Sequence, residues 1–112
     1  MEINCEKLDG DIYKINLKGR MDILGNESID IKFSGMTAAP NKLFIIDLSE
    51  VDFIASIGIR TLLLNAKAIH NRDGKMIILS PDSQVKKVLL MAGIDMVMPI
   101  VDTLESAISA MY

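Results

Sequence analysis

The chain has no tryptophan, one cysteine, one histidine and three prolines, with three phenylalanines and two tyrosines scattered through 112 residues. Each shortage narrows what the chain can do. Cys5 has no partner within the chain, so no internal disulfide holds the fold, and a lone thiol suits a reducing compartment. One histidine and one cysteine far apart provide no clustered metal-ligand motif. Scattered aromatics make no stacking platform for nucleic acid. The net charge of −3 and a pI near 5.0 repel phosphate backbones and anionic lipid. No apolar run approaches the roughly 20 residues that span a bilayer. Charges recur through the first twenty positions, so no signal peptide is expected. These absences predict a cytoplasmic chain with no metal, no cofactor, no direct nucleic-acid contact and no membrane insertion.

Enzymatic devices are missing too. There is no G-x-x-x-x-G-K-[ST] loop and no G-x-G-x-x-G after a strand. Ser56 and His70 fall on one expected helix, 14 positions apart. At about 1.5 Å per residue that is about 21 Å, too far for a nucleophile and its base. No enzyme is expected.

The residues that are present suit one α/β domain over 1–112, since half are apolar and about a quarter charged. Ile3 to Lys7 and Ile12 to Leu17 alternate apolar and polar, and Asp9-Gly10 between them predicts a β-hairpin. Leu24 to Pro40 fits neither strand nor helix period, so a short or irregular helix is expected around Asn26 to Met36. Leu43 to Leu48 is a continuous apolar run ended by Asp47-Leu48, the pattern of a parallel strand covered on both faces. A short loop then leads into a helix from Ser56 to Asn71, with Ile59, Leu62, Leu63 and Ala66 at helical spacing. Gly74 is expected to take positive φ after it. Lys75 to Leu79 reads as a strand. Val85 to Ala92 reads as a helix with Val85, Val88, Leu89 and Ala92 inward. Met96 to Val101 reads as a short edge strand carrying Pro99, and a last helix follows Thr103. The order predicts an N-terminal hairpin followed by alternating helices and strands in a mixed, largely parallel sheet.

One place suits a switch. Ser56 stands where a buried strand passes into a helix, and a serine there is a favoured N-cap. First-turn N–H groups receive anions, and Arg60 lies one turn on. A phosphate at Ser56 would add about −1.5 to −2 units of charge. The alternative is that Ser56 is a cap and nothing more. Gly58 in the first turn costs about 1 kcal/mol against alanine, which implies a packing or docking reason.

At these residues the chain resembles the STAS domain family, in particular the anti-sigma factor antagonists. The resemblance rests on Leu43 to Leu63, with its Asp47-Leu48-Ser49-x-Val51-x-Phe53-Ile54 loop and Ser56-x-Gly58-Ile59-x-x-Leu62 helix start. Lys18-Gly19-Arg20-Met21-Asp22, Asp73-Gly74-Lys75-Met76 and Val85-x-x-Val88-Leu89-x-x-Ala92-Gly93 extend it over nearly the whole chain. The resemblance implies a partner-switching regulator. Such a protein binds an anti-sigma factor serine kinase and releases a sigma factor for transcription. The kinase phosphorylates a serine at the position of Ser56, which weakens binding, and a serine phosphatase restores it. By the same resemblance Asp22, Phe53, Ile54, Ala55, Ser56, Ile57, Gly58 and Arg60 are candidate partner-binding residues. The chain departs from the family at Ala55, where Asp or Ser is common. A non-phosphorylated STAS scaffold, or a soluble subunit of a transport assembly, is the second reading.

Overall fold

A tight turn organises the N-terminal third. Gly10 and Asp11 both take positive φ, 78° and 58°, and close a hairpin between β1 (Glu2–Leu8) and β2 (Ile12–Met21). The computed structural model describes residues 1–112. After β2 come α1 (Ile23–Met36), β3 (Leu43–Ile54), α2 (Ser56–His70), β4 (Lys75–Leu79), α3 (Ser83–Met91), a single 3-10 turn (Ile94–Met96), β5 (Ile100–Val101) and α4 (Leu104–Met111). The five strands lie in the order β1-β2-β3-β4-β5. Only β1 runs antiparallel to its neighbour; the other pairs are parallel.

The strand pleat divides the core in two. Ile15, Leu17, Phe44, Ile46, Leu48, Met76 and Ile78 point to the face covered by α1, α2 and α3, where they meet Ile29, Phe33, Leu62, Ile69, Val85 and Leu89. Ile12, Ile45, Ile77 and Leu79 point the other way, against Ala107 and Met111 of α4. Beyond α4 this second face turns polar. Lys14 pairs with Asp47 at 3.1 Å and donates to Asn16 at 2.6 Å, and Asn16 donates to Asn4 and Glu6 at 2.8 and 3.1 Å. Burial pushes the Asp47 carboxyl up, but bonds from Ser49 and the Lys14 ammonium outweigh it and hold the carboxyl below its ordinary value.

Several local expectations are corrected. Residues 49–54 are not a loop: β3 continues through them, with two register shifts against β2. Helix α1 is a full 14 residues. It reads poorly because apolar residues fall on its solvent side as well as its core side: Ile29 and Phe33 are buried, while Ile23, Leu24 and Ile31 stand in solvent. Val88 and Ala92 face outward from α3 and its cap. The segment before β5 is a 3-10 turn, and β5 itself is two residues long, with Pro99 just ahead of it at the sheet edge. Asp73, not Gly74, takes positive φ, 64°. Gly74 is instead buried against the Lys42 carbonyl and Ile69, with no room for a Cβ.

Two polar ties position α1 against α2. The Thr37 hydroxyl, buried at the end of α1, lies 2.7 Å from Asn65 Oδ1, and Asn65 Nδ2 donates to the Thr61 carbonyl at 2.8 Å. Arg72, just past α2, donates to the Asn41 carbonyl at 2.9 and 2.7 Å and also to that of Thr37, fixing the connection from α1 to β3.

Two glycines of α1 give opposite expectations. A Cβ on Gly25 would overlap the Arg20 carbonyl, whereas one on Gly35 meets nothing within 4 Å. In urea unfolding, Gly25→Ala destabilises the protein by about 3 kcal/mol through overpacking. Gly35→Ala stabilises it by about 0.5–1 kcal/mol through helix propensity.

Candidate functional site

The long β2–β3 pair ends with Met21 opposite Ile54. The Ala55 N–H donates to the Met21 carbonyl at 3.0 Å, so the starts of α1 and α2 emerge side by side. Asp22 is the N-cap of α1: its Oδ1 accepts from the Gly25 N–H at 2.8 Å. Its other oxygen lies 3.2 Å from Arg20 Nε, and the Arg20 guanidinium lies over the Phe53 ring, 4.0 Å from its centre. The cation–π contact contributes about 0.5–1 kcal/mol at such an exposed position, and the ion pair no more. Together they fix the orientation of Phe53 beside Asp22.

Ser56 does not cap α2. Ala55 is the N-cap and supplies no side-chain acceptor, and Ser56 is the first helical residue with its side chain exposed. The N–H groups of Gly58 and Ile59 both reach the Ala55 carbonyl, at 2.9 and 3.2 Å. Those of Ser56 and Ile57 have no partner inside the helix, as at every helix start. The first turn holds no acidic residue, so its partial positive charge is uncompensated. Arg60 is exposed, forms no ion pair and lies one turn beyond Ser56.

The structure thus gathers Asp22, Phe53, Ala55, Ser56 and Ile57 at one end of the sheet, with Arg60 on the next turn of α2. Ile54 and Gly58 are buried and support that end rather than line it. The packing reason for Gly58 is clear: a Cβ there would lie 2.8 Å from Met21 Cγ and 2.9 Å from Ile54 Cγ1. The sequence reading did not assign a role to Arg20, Ile23 or Leu24. Ile23 and Leu24 are 71% and 77% exposed at the start of α1, an apolar lip next to Asp22. The Asp22-x-x-Gly25 spacing of an N-cap was the signal that could have placed them.

The Asp22 carboxyl is held below its ordinary value of 3.8, chiefly by the Gly25 N–H and further by Arg20, against a smaller opposing effect of desolvation. No three His, Cys, Asp or Glu side chains converge to hold a metal. No helix is long and apolar enough to cross a membrane.

Residues 3–107 match the STAS domain family, and the chain belongs to it. A Bordetella bronchiseptica protein, BtrV, classed by inference as an anti-sigma factor antagonist, is 24% identical over 110 residues, covering 98% of this chain and 94% of its own. The crystal structure of an anti-sigma factor antagonist from Mycobacterium paratuberculosis superposes with a TM-score of 0.88 at 21% identity, over 98% of this chain and 92% of that one. The Bacillus cell fate determinant SpoIIAA in its phosphorylated form gives 0.75 at 22% identity, over 99% and 100%. The fold is that of these proteins.

Two measurements check this geometry. Ala55→Asp supplies the missing acceptor and raises stability by about 1 kcal/mol in urea unfolding. Because the folded-state pKa of Asp22 is depressed, its contribution is complete above the ordinary value of 3.8 and is lost as pH falls through the lower folded value. Asp22→Asn keeps an acceptor for Gly25 and removes that part of the acid dependence, which paired pH titrations of stability read directly.

Proposed function

We propose that this chain is an anti-sigma factor antagonist whose binding is turned off by phosphorylation of Ser56. The observation that carries this is the exposed Ser56 hydroxyl on a helix start without a side-chain cap, on the same end as the apolar Ile23, Leu24 and Phe53. The unmodified end is an apolar lip around a small polar centre, which suits docking on a protein surface. The partner is an anti-sigma factor serine kinase. It transfers the γ-phosphoryl group of ATP to Ser56 Oγ, and its own base takes the hydroxyl proton as ADP departs. The catalytic base and nucleotide site belong to the kinase, so this chain acts as a substrate and binding module and not as an enzyme. A dianionic phosphate on Ser56 opposes docking through its desolvation cost and the negative charge it adds at the apolar lip. A serine phosphatase removes it and restores binding, and sigma-factor-dependent transcription follows the unphosphorylated fraction. All of this takes place in the cytoplasm. The relatives named as anti-sigma factor antagonists support the reading.

Alanine at 55 bears on recognition. With no capping side chain competing for them, the Ser56 and Ile57 N–H groups remain free to donate to the new phosphate's oxygens. The phosphorylated form is therefore expected to be a folded, locally stabilised state.

Intact mass after incubation with ATP and anti-sigma kinases from the same cell tests the reading. One addition of about 80 Da, absent in Ser56→Ala, is expected. Ser56→Asp lowers kinase affinity at least about tenfold, or about 1.4 kcal/mol, while Ser56→Ala retains it. No mass addition with any kinase, or equal binding by both variants, would overturn the switch and favour a non-switching STAS subunit.

A further inference from the structure

A groove of about 490 Å³ lies between the C-terminal half of α2 and the segment around the 3-10 turn, away from the Ser56 end. From Ser56 to Lys67 along α2 is about 16 Å at 1.5 Å per residue. The groove has the volume of a small-molecule site, about 300–1,000 Å³. Its floor is apolar: Leu63 of α2, Met76 of β4 and Met98. Met76 and Met98 are buried, and Leu63 packs on the main core. One wall carries the Lys67 ammonium, with the His70 imidazole one turn on along the same helix face as a hydrogen-bonding group. Lys67 forms no ion pair, and no carboxylate lines the groove. Asp73 and Asp95 lie on the flanking segments but not in the lining. On a chain of net charge −3 this is a local reversal of sign. Met96 stands at the lip, 88% exposed, where a flexible thioether can fold over an occupant.

The geometry points to a binding site for a small amphipathic anion, an aliphatic carboxylate of medium chain length. Its tail lies on Leu63, Met76 and Met98, and its carboxylate meets Lys67 and His70. The lining contains no phenylalanine, tyrosine or tryptophan ring to stack a base and no glycine-rich loop to cradle a phosphate chain, which disfavours nucleotides. Thioether and leucine side chains conform to a flexible alkyl tail, and the unpaired Lys67 ammonium above an apolar floor selects an anionic head.

The site is tested on the full chain by two-dimensional ¹H–¹⁵N NMR titration with decanoate, with decyltrimethylammonium as the cationic control. Saturable shifts centred on Leu63, Lys67, His70 and Met98, complete at about 1 mM decanoate, are expected, with at least about tenfold weaker effects from the cation. Lys67→Glu and Met96→Glu alter exposed side chains and leave the rest of the spectrum intact. Each is expected to weaken decanoate binding about tenfold. No saturable shift, shifts centred on Ile23, Leu24 and Phe53, equal response to the cation, or undiminished binding by Lys67→Glu would overturn the proposal.

Discussion

The pairing of β2 with β3 is the constraint on which the rest of the structure depends. These two strands run on past the sheet: β4 pairs β3 only along Leu43–Asp47, while β2 accompanies β3 to Ile54. Their shared end delivers Asp22 and Ala55 as neighbours, so both helix starts are set by one stretch of ladder. Asp22 then serves α1 as cap and holds Arg20, and Arg20 holds Phe53. Gly25 and Gly58 are the steric counterpart. Each clears space where a helix begins against that ladder, one under the Arg20 carbonyl and one between Met21 and Ile54.

The two faces of the sheet do different work. The face under α1, α2 and α3 carries most of the core and most of the stabilisation by apolar burial. The other is apolar only beneath α4. Past it lies a closed set of hydrogen bonds among Asn4, Glu6, Lys14, Asn16 and Asp47. These polar side chains offer little apolar area to a second sheet on the side of the fold nearest the charged edge strand β1.

How legible the chain was follows from how well each segment keeps one period. The hairpin carries a clean alternation, β4 a short continuous apolar run and α2 a helical stripe, and each stands where the sequence places it. Helix α1 escaped because Ile23, Leu24 and Ile31 put apolar groups on its solvent side and hide the stripe of Ile29 and Phe33. The far half of β3 escaped for a different reason. Leu48, Val51 and Ile54 are all buried, a spacing of three that belongs to neither strand nor helix. The short β5 lies within the stretch that reads as an edge strand, but a 3-10 turn takes its first residue and the ladder begins only after Pro99. The start of α2 at Ser56 was legible from the buried run before it and the helical stripe after it. The one-residue displacement of the cap to Ala55 was not, since it depends on where the ladder stops.

The spacing of three comes from the two register shifts, at Asn16/Lys18 and at Gly19/Arg20, where β3 carries an extra residue each time. One extra residue turns every later side chain to the opposite face; two restore the original phase. Leu48 and Ile54 therefore point the same way, and Phe53 ends up outward beside Arg20. Residue number in this stretch obeys a parity rule. A change of two residues here leaves Phe53 and Ile54 on their present faces, whereas a single insertion or deletion would turn Phe53 inward and Ile54 out.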